Sequence, residues 1–179
     1  MPHNLIKIYS DLLEIMHYSE YDRKKSLRAV FDKDITDNDN FTFNNKVIRP
    51  TKVDGEIDLS TVFHHLTTED YFFKDKDGKT IKKRVFEKDR SHRLHWIKPH
   101  IEVKIKDSVY LFSVMERDVK KRKNVPRTYI LNTTQKYVVV LEPQDSGLDY
   151  YLVTAYYLNK KYGLKQMKNK MKNQLKELL

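Results

Sequence analysis

Two segments of the chain combine residue types that could carry out chemistry, 83–99 (KRVFEKDRSHRLHWIKP) and 150–158 (YYLVTAYYL). The first surrounds the only tryptophan with cationic side chains and imidazoles, namely Arg84, Arg90, His92, Arg93, His95 and Lys98. The second places Thr154 among tyrosines on a predicted strand. Cleavage of a phosphodiester without a metal needs a proton acceptor, a proton donor and cations that neutralise the phosphorane. This combination makes RNA cleavage the leading interpretation.

A helix predicted over residues 84–98 would group these side chains by their spacing. Arg90 and Arg93 are three residues apart and would lie on nearly one face, where guanidinium groups grip phosphate oxygens in a bidentate manner. A second row is formed by Arg84, Lys88 and His92. His95 would lie near the C-terminal end, where the helix dipole favours a protonated imidazole. The other interpretation is an amphipathic helix with solvated charges and a partly buried His95.

His64 and His65, in FHHLT, form a second candidate site. On an extended chain the two rings would face opposite ways, so that at most one could point into a cleft. A metal site is a weaker interpretation, because neither an HExxH motif nor a third ligand at a suitable spacing accompanies the pair. A structural histidine and a role in catalysis or substrate contact both stay open.

Alternation along 150–158 predicts a central strand that is covered on both sides. One face would carry Tyr150, Leu152, Thr154 and Tyr156, and the other Tyr151, Val153, Ala155 and Tyr157. Thr154 could bond to phosphate and Tyr156 could stack on a base, although a threonine in a core strand needs no function. Arg127, at the start of a strand, is a candidate for substrate binding, and the basic loop 120–123 is a candidate for phosphate contact.

The composition favours a polyanionic partner. The chain has 179 residues and a formal net charge of +10, which points first to nucleic acid, and otherwise to an acidic protein that masks the charge. It contains no cysteine, which excludes disulfides and thiolate–zinc sites, and its four glycines form neither a Rossmann nor a P-loop motif. We expect no metal and no cofactor. Lacking a long apolar run or signal peptide, the chain is expected to be cytoplasmic, without a membrane partner.

The order of predicted elements indicates a single α+β domain over residues 1–179. Apolar spacing predicts N-terminal helices, around Leu5 to Met16 and Leu27 to Phe31, in a helical and irregular region over 1–58. The segment 32–45 reads as a loop, 47–60 as irregular or short-stranded, and Asp77-Gly78 as a turn. The core, 59–158, would add a mainly antiparallel four- to five-stranded sheet. Its strands are expected within 101–106, 109–115, 127–132, 136–142 and 150–158.

The last segment, 159–179, reads as a basic amphipathic helix. Its apolar stripe consists of Leu164, Met167, Met171, Leu175 and Leu178. Such a stripe usually packs on its own domain, and less often on a partner or an anionic surface.

The central part of the chain resembles phage-borne nuclease domains of the barnase–EndoU–colicin–RelE superfamily. The resemblance covers roughly residues 60–158 and begins with R-x-F-x-x-x-R-x-x-R-L-x-W-I-x-P, from Arg84 to Pro99. It continues with R-T-Y from Arg127, with K-Y-V-V-V-L-E from Lys136, and with Y-Y-L-V-T-A-Y from Tyr150. These motifs are loose, because the superfamily shares an architecture more than invariant residues.

The resemblance implies a metal-independent endoribonuclease, toxin-like or a phage accessory, that acts on a cellular RNA such as tRNA. Position by position, the resemblance implies that Arg90, Arg93 and Thr154 are active-site residues and that His65 or His92 transfers the proton. Arg84, His95, Lys98, Arg127 and Tyr156 are the candidates for substrate binding. An acidic inhibitor or immunity protein is an expected partner. The last strand offers Thr154 where many relatives keep a histidine, so a non-catalytic nucleic-acid-binding or virion-associated protein is the alternative.

Overall fold

The protein has an α+β architecture in which a six-stranded mixed sheet is covered by helices on both faces. The structure, a computed structural model, describes residues 2–49, 52–53 and 56–179. The predicted α+β class is confirmed. The main sheet exceeds the expected four to five strands because two short N-terminal strands join it, and one of its strand pairs is parallel.

The helical elements begin at the N-terminus and end near residue 171. They are α1 (Pro2–Leu5), α2 (Glu20–Phe31), α3 (Leu59–Thr67), α4 (Lys88–Ser91), α5 (Ile97–Ile101) and α6 (Gly163–Met171). A π-helical turn, Asp32–Thr36, extends α2, and a 3₁₀ turn, Leu94–Trp96, leads into α5. None of the helices in the described part of the chain is long and apolar enough to cross a bilayer.

In the described part of the chain, ten strands form one large sheet and two two-stranded sheets. The strands are β1 (Thr42–Phe43), β2 (Lys46–Arg49), β3 (Lys52–Val53), β4 (Glu56–Ile57), β5 (Thr68–Lys74), β6 (Thr80–Phe86), β7 (Val109–Asp118), β8 (Lys123–Asn132), β9 (Tyr137–Pro143) and β10 (Asp149–Tyr157). The main sheet has the order β1-β2-β10-β9-β8-β7, while β3 pairs with β4 and β5 pairs with β6. The short strands predicted between 47 and 60 are thus present in part, and positions 50, 51, 54 and 55 lie outside the described residues.

The antiparallel meander β7 to β10 is the part of the fold that the sequence predicted best. Its strands are rich in β-branched and aromatic residues, which favour a pleated surface. Tight turns join them, as expected, with Arg122, Lys136 and Gly147 at positive φ. At the far edge, β2 pairs in parallel with only the first three residues of β10, so the rest of that edge of β10 faces α3 and α4.

The two faces of the sheet carry separate cores. On the first face, α2, α3 and the 94–101 region cover β9 and β10, with Phe31, Leu66 and Trp96 among the buried residues. On the second face, α6 packs over an apolar patch that includes Phe112 and Leu131. The second face becomes polar toward the β7–β8 hairpin, because Arg127 and Glu142 replace apolar residues there.

The helix predicted over residues 84–98 is wrong. Arg84 lies on β6, where it pairs with Asp70 of the neighbouring strand at 3.0 Å, and a helix begins only after Phe86. The Glu87 carboxylate accepts hydrogen bonds from the backbone N–H groups of Asp89 and Arg90 and starts the short α4. Pro99 does not end a helix. It lies in the first turn of α5, where its missing N–H leaves no bond unmade.

The helix predicted around Leu5 to Met16 is also wrong beyond α1. Tertiary contacts take the backbone groups that a longer helix would need: Leu13 N–H donates to the His92 carbonyl at 3.0 Å, and the Asp11 carbonyl accepts from the Trp96 indole at 2.9 Å. The buried residues of this segment are consequently Leu13 and Ile15, and not a stripe at helical spacing. The helix predicted around Leu27 to Phe31 is present as α2.

Three other local predictions need correction. The loop expected over 32–45 contains the π-helical turn and β1. The strand expected over 101–106 is absent, because Ile101 ends α5 and Val103 has a positive φ of 52°. The C-terminal helix ends at Met171 instead of reaching residue 179. Its stripe packs on its own sheet through Leu164, Met167 and Met171.

Candidate functional site

A cluster of charged and hydroxyl side chains lies on the second face of the sheet, beside the patch that α6 covers. We call this cluster the polar sheet face; it consists of Glu116, Asp118, Arg127, Tyr129, Glu142, Thr154 and Tyr156. Strand register places these residues together. Tyr129 and Thr154 both lie opposite Val140 of β9, and Tyr156 follows two residues after Thr154 on the same face.

Arg127 is the central cation of the polar sheet face. Its guanidinium donates to Asp118 at 2.9 Å and forms an ion pair with Glu142, which also binds Lys121 from the β7–β8 turn. The side chains of Arg127 and Glu142 are only 12% and 9% exposed. Since charges lose hydration on burial, they stay here because each is paired. The pairing fixes the guanidinium rigidly on the sheet.

Glu116 is the third carboxylate on this face, and its side chain is more exposed than those of Asp118 and Glu142. It accepts a hydrogen bond from the Tyr129 hydroxyl at 2.8 Å and forms an ion pair with Lys170 at the end of α6. Burial, followed by the hydrogen bond to Glu116, raises the pKa of Tyr129. The tyrosine therefore keeps its proton and acts as a donor to Glu116.

A β-bulge positions Thr154. The register of β10 against β9 shifts between Leu152 and Thr154, so alternation breaks at Val153. The face assignment predicted for this strand is consequently wrong: Tyr150 and Leu152 join Ala155 in the first core, whereas Thr154 and Tyr156 lie on the polar sheet face. Bulges re-aim side chains in this way next to many functional sites.

Arg90 and His65 border the polar sheet face at the free edge of β10. The Arg90 guanidinium donates to the carbonyls of His65 at 2.6 Å and Thr68 at 3.1 Å, and its carbon lies 6.0 Å from the Tyr156 ring centroid. Burial raises the pKa of Tyr156 to about 12, while the Arg90 charge opposes that rise. The structure thus brings four of the predicted site residues to one region, namely Arg90, Arg127, Thr154 and Tyr156, and His65 meets this region through its backbone carbonyl.

A basic groove of about 960 Å³ lies between α2, α3 and the β5–β6 hairpin, and His65 is one of the residues that line it. Its charged or imidazole-bearing lining residues are Glu20, Arg23, Lys24, Arg28, His64, His65, Lys83 and Arg84. Arg28 and Arg84 also form ion pairs with Asp32 and Asp70. Among the described lining residues, Glu20 alone carries a negative charge. The groove is therefore suited to an anionic ligand.

Both histidines of FHHLT line this groove, contrary to the expectation for an extended chain. They lie on α3, where consecutive side chains are about 100° apart and not on opposite sides. Burial, with added repulsion from Arg84 and Lys120, lowers the pKa of His65. Burial, with repulsion from Arg84 and Lys24, lowers the pKa of His64. Because nearby cations lower the pKa of both rings, a bound phosphate, with the opposite charge, would raise it.

Five predicted site residues lie away from the polar sheet face, and one of them, Arg84, lines the basic groove. The Arg93 guanidinium stacks on Tyr157, 4.0 Å from its ring centroid, on the first face of the sheet. Burial lowers the pKa of His92, with Lys88 and Arg93 as its cationic neighbours. His95 is buried in the first core, and burial lowers its pKa to about 4. Lys98 lies near the buried Asp34.

Sequence reasoning missed the carboxylates and part of the groove. Glu116 follows Phe112 and Val114 at a spacing of two in VYLFSVMERD, so strand alternation could have placed it beside the core residues. Arg23, Lys24 and Lys83 carried no comparable signal, because they come together only through the packing of α2 against the hairpin. Among the described residues, no three histidine, aspartate or glutamate side chains are arranged so that they could hold a metal ion together.

Comparison of the chain with known protein families, with curated proteins and with solved structures gives no match.

Proposed function

We propose that this protein is a metal-independent endoribonuclease whose active site is the polar sheet face with His65 and Arg90 at its border. One observation carries the proposal. Carboxylates, a fixed guanidinium group and a hydroxyl whose direction is set by a bulge lie on the same face of one sheet. Such a site combines proton-transfer groups with preorganised positive charge, and both are needed when the 2′-hydroxyl attacks phosphorus.

The residues divide into roles by their chemistry. Glu116 takes the proton of the 2′-hydroxyl as the new O–P bond forms, and His65, when protonated, gives a proton to the leaving 5′-oxygen. Arg90 neutralises the phosphorane, and Thr154 positions it through a hydrogen bond. Arg127, whose charge is balanced by Asp118 and Glu142, holds those carboxylates in place. Burial and, to a smaller extent, nearby cations lower the pKa of His65. A bound phosphate would offset the effect of the cations and so favour the protonated imidazole in the complex.

A cleavage assay on total cellular RNA in excess EDTA tests this proposal. The wild type should yield fragments, and His65→Asn should slow their formation by at least about a hundredfold, as expected for loss of a general acid. His92→Asn is the matched control, because the groups that shift its pKa all lie outside the polar sheet face. Equal rates for the wild type and His65→Asn would contradict the assignment.

A second candidate function is nucleic-acid binding without cleavage, and the basic groove favours it. Phosphate contacts by Lys24 and Lys83 would release counterions, so affinity should fall steeply with salt. Lys24→Gln/Lys83→Gln should reduce the magnitude of the logarithmic salt slope by about 1–2, whereas the exposed Lys161→Gln should leave it unchanged. RNA that binds in this manner but stays intact in EDTA would favour this candidate.

The same charge supports the proposed partners. RNA, with tRNA as one candidate target, fits the groove, and an acidic inhibitor protein would compete for it. A role as a toxin or a phage accessory protein follows from the resemblance alone and stays a proposal.

A further inference from the structure

The β5–β6 hairpin extends away from the rest of the chain and exposes large apolar side chains on both of its faces. The two strands pair in register from Thr68 with Phe86 to Lys74 with Thr80, and a turn at Gly78 joins them. Tyr71 and Phe72 are 56% and 61% exposed. An isolated two-stranded hairpin is only marginally stable in water, and aromatic residues exposed on one indicate a binding surface.

Tyr71 and Phe73 form a stacked pair on one face of the hairpin, which we call the aromatic platform. Their ring centroids lie 6.2 Å apart with an interplanar angle of 24°. The cross-strand neighbours are Lys83 beside Tyr71 and Ile81 beside Phe73. The platform is thus a flat apolar surface with a cation at its inner end.

The aromatic platform continues into the basic groove. Lys83 belongs to both, since it pairs with Tyr71 across the hairpin and lines the groove together with Arg84. A strand of nucleic acid whose phosphates follow the groove would therefore meet the two rings where it leaves the groove. Aromatic rings beside cations bind single strands in general, because every base has a π-face and every linkage a negative charge.

We infer that the aromatic platform stacks unpaired bases of single-stranded RNA whose phosphates lie along Lys83 and the groove. This inference rests on the proposed function, for which it specifies the substrate class. Duplex RNA does not fit, because its bases are already stacked and paired inside the helix. The mixture of cations with the rings favours nucleic acid over a purely apolar protein surface or a second copy of this chain.

Fluorescence anisotropy with a short 2′-O-methyl RNA strand tests the inference. This strand lacks the attacking hydroxyl, so binding is measured whether or not the protein cleaves RNA. Tyr71→Ala/Phe73→Ala should weaken binding at least about tenfold, because each stacked base contributes strongly to affinity. The variant and the wild type should have the same affinity for an abasic strand of equal length. The dependence of the affinity on salt concentration should also be the same in both proteins.

Phe72→Ala is the matched control, because this equally exposed ring lies on the opposite face of the same hairpin. It should change affinity by less than about twofold. The inference is overturned if Tyr71→Ala/Phe73→Ala binds like the wild type, if Phe72→Ala causes an equal loss, or if the wild type binds the abasic strand equally well. Self-association of the wild type that is lost in the double variant would instead assign the platform to a second copy.

The two proposals fail in different ways. If the platform does not stack bases, cleavage of ordinary RNA persists while the Tyr71→Ala/Phe73→Ala variant keeps full affinity. If the protein is not a nuclease, ordinary RNA stays intact while the same variant still loses affinity for the 2′-O-methyl strand.

Discussion

At the scale of single residues, the ion pair of Arg127 with Glu142 and Asp118 controls the polar sheet face. Breaking a buried pair from one side leaves a charge without a partner, which destabilises a protein by about 3–5 kcal/mol. Because these side chains are largely shielded from water, the same order of loss applies here. The pair thus links the stability of the sheet to the geometry of the proposed site.

Arg127→Met should lower the free energy of unfolding by about 3 kcal/mol, since it removes the ion pair of Asp118 and leaves Glu142 with Lys121 alone. Urea denaturation measures this loss. Arg117→Met, an exposed position on the neighbouring strand, is the control and should change the free energy of unfolding by less than about 0.5 kcal/mol. Equal free energies of unfolding for the two variants would contradict a stabilising role of the ion pair.

Buried histidines should make the fold sensitive to acid. Burial lowers the pKa of His95 and of His100 to about 4, below the value of about 6.5 in an unfolded chain. Protons therefore bind the unfolded state more readily. The stability that each neutral ring contributes is complete above about pH 6.5 and is lost as the pH falls toward about 4.

His100→Gln tests this dependence. The neutral His100 ring hydrogen-bonds to the Trp96 carbonyl at 2.7 Å and to the Asn132 amide at 2.9 Å, and glutamine offers a donor and an acceptor without titrating. Between about pH 7 and pH 5 the wild type should lose roughly 2 kcal/mol more unfolding free energy than the variant. The same pH dependence in both proteins would contradict the account.

At the same scale, sequence reasoning found the candidate site only in part. Thr154 and Arg127 stood out by residue type, yet the bulge that puts Thr154 on the same face of the sheet as Arg127 depends on pairing between strands. The predicted row of Arg84, Lys88 and His92 failed because Arg84 belongs to a strand. Local spacing cannot reveal a strand that is stabilised by pairing with Asp70 and Thr68.

At the scale of elements, the meander β7 to β10 was predictable because its strands carry their own β-forming residues and are joined by short turns. The segment 6–18 was not predictable, since long-range bonds from Asn4, His92 and Trp96 override its helical spacing. Short elements such as α4 and α5 likewise depend on caps and packing more than on propensity.

α6 offers the sharpest test of packing between elements. Met167 is buried against the second core, and its truncation to alanine should lower the free energy of unfolding by about 2–3 kcal/mol. Leu178 belongs to the same predicted stripe but lies beyond the end of α6 and is partly exposed. Leu178→Ala should therefore cost less than about 1 kcal/mol in urea denaturation, and a larger loss there than at Met167 would refute this packing.

At the scale of the whole molecule, the positively charged groove lies close to the proposed catalytic residues. The His65 side chain lines the basic groove, and Arg90, which donates to the His65 carbonyl, lies beside Tyr156 of the polar sheet face. The net charge of +10 raises the local concentration of polyanions around both. An RNA strand in the groove would thus place a phosphodiester near His65 and Arg90.

The central claim is metal-independent RNA cleavage on the polar sheet face, and the most direct measurement is the chemistry of the products. A labelled single-stranded RNA is incubated in excess EDTA with the wild type, with Glu116→Gln and with the control Glu102→Gln. We predict fragments ending in a 2′,3′-cyclic phosphate from the wild type and the control, and at least a hundredfold slower cleavage by Glu116→Gln. Intact RNA with all three proteins, or equal cleavage by Glu116→Gln, would contradict the account.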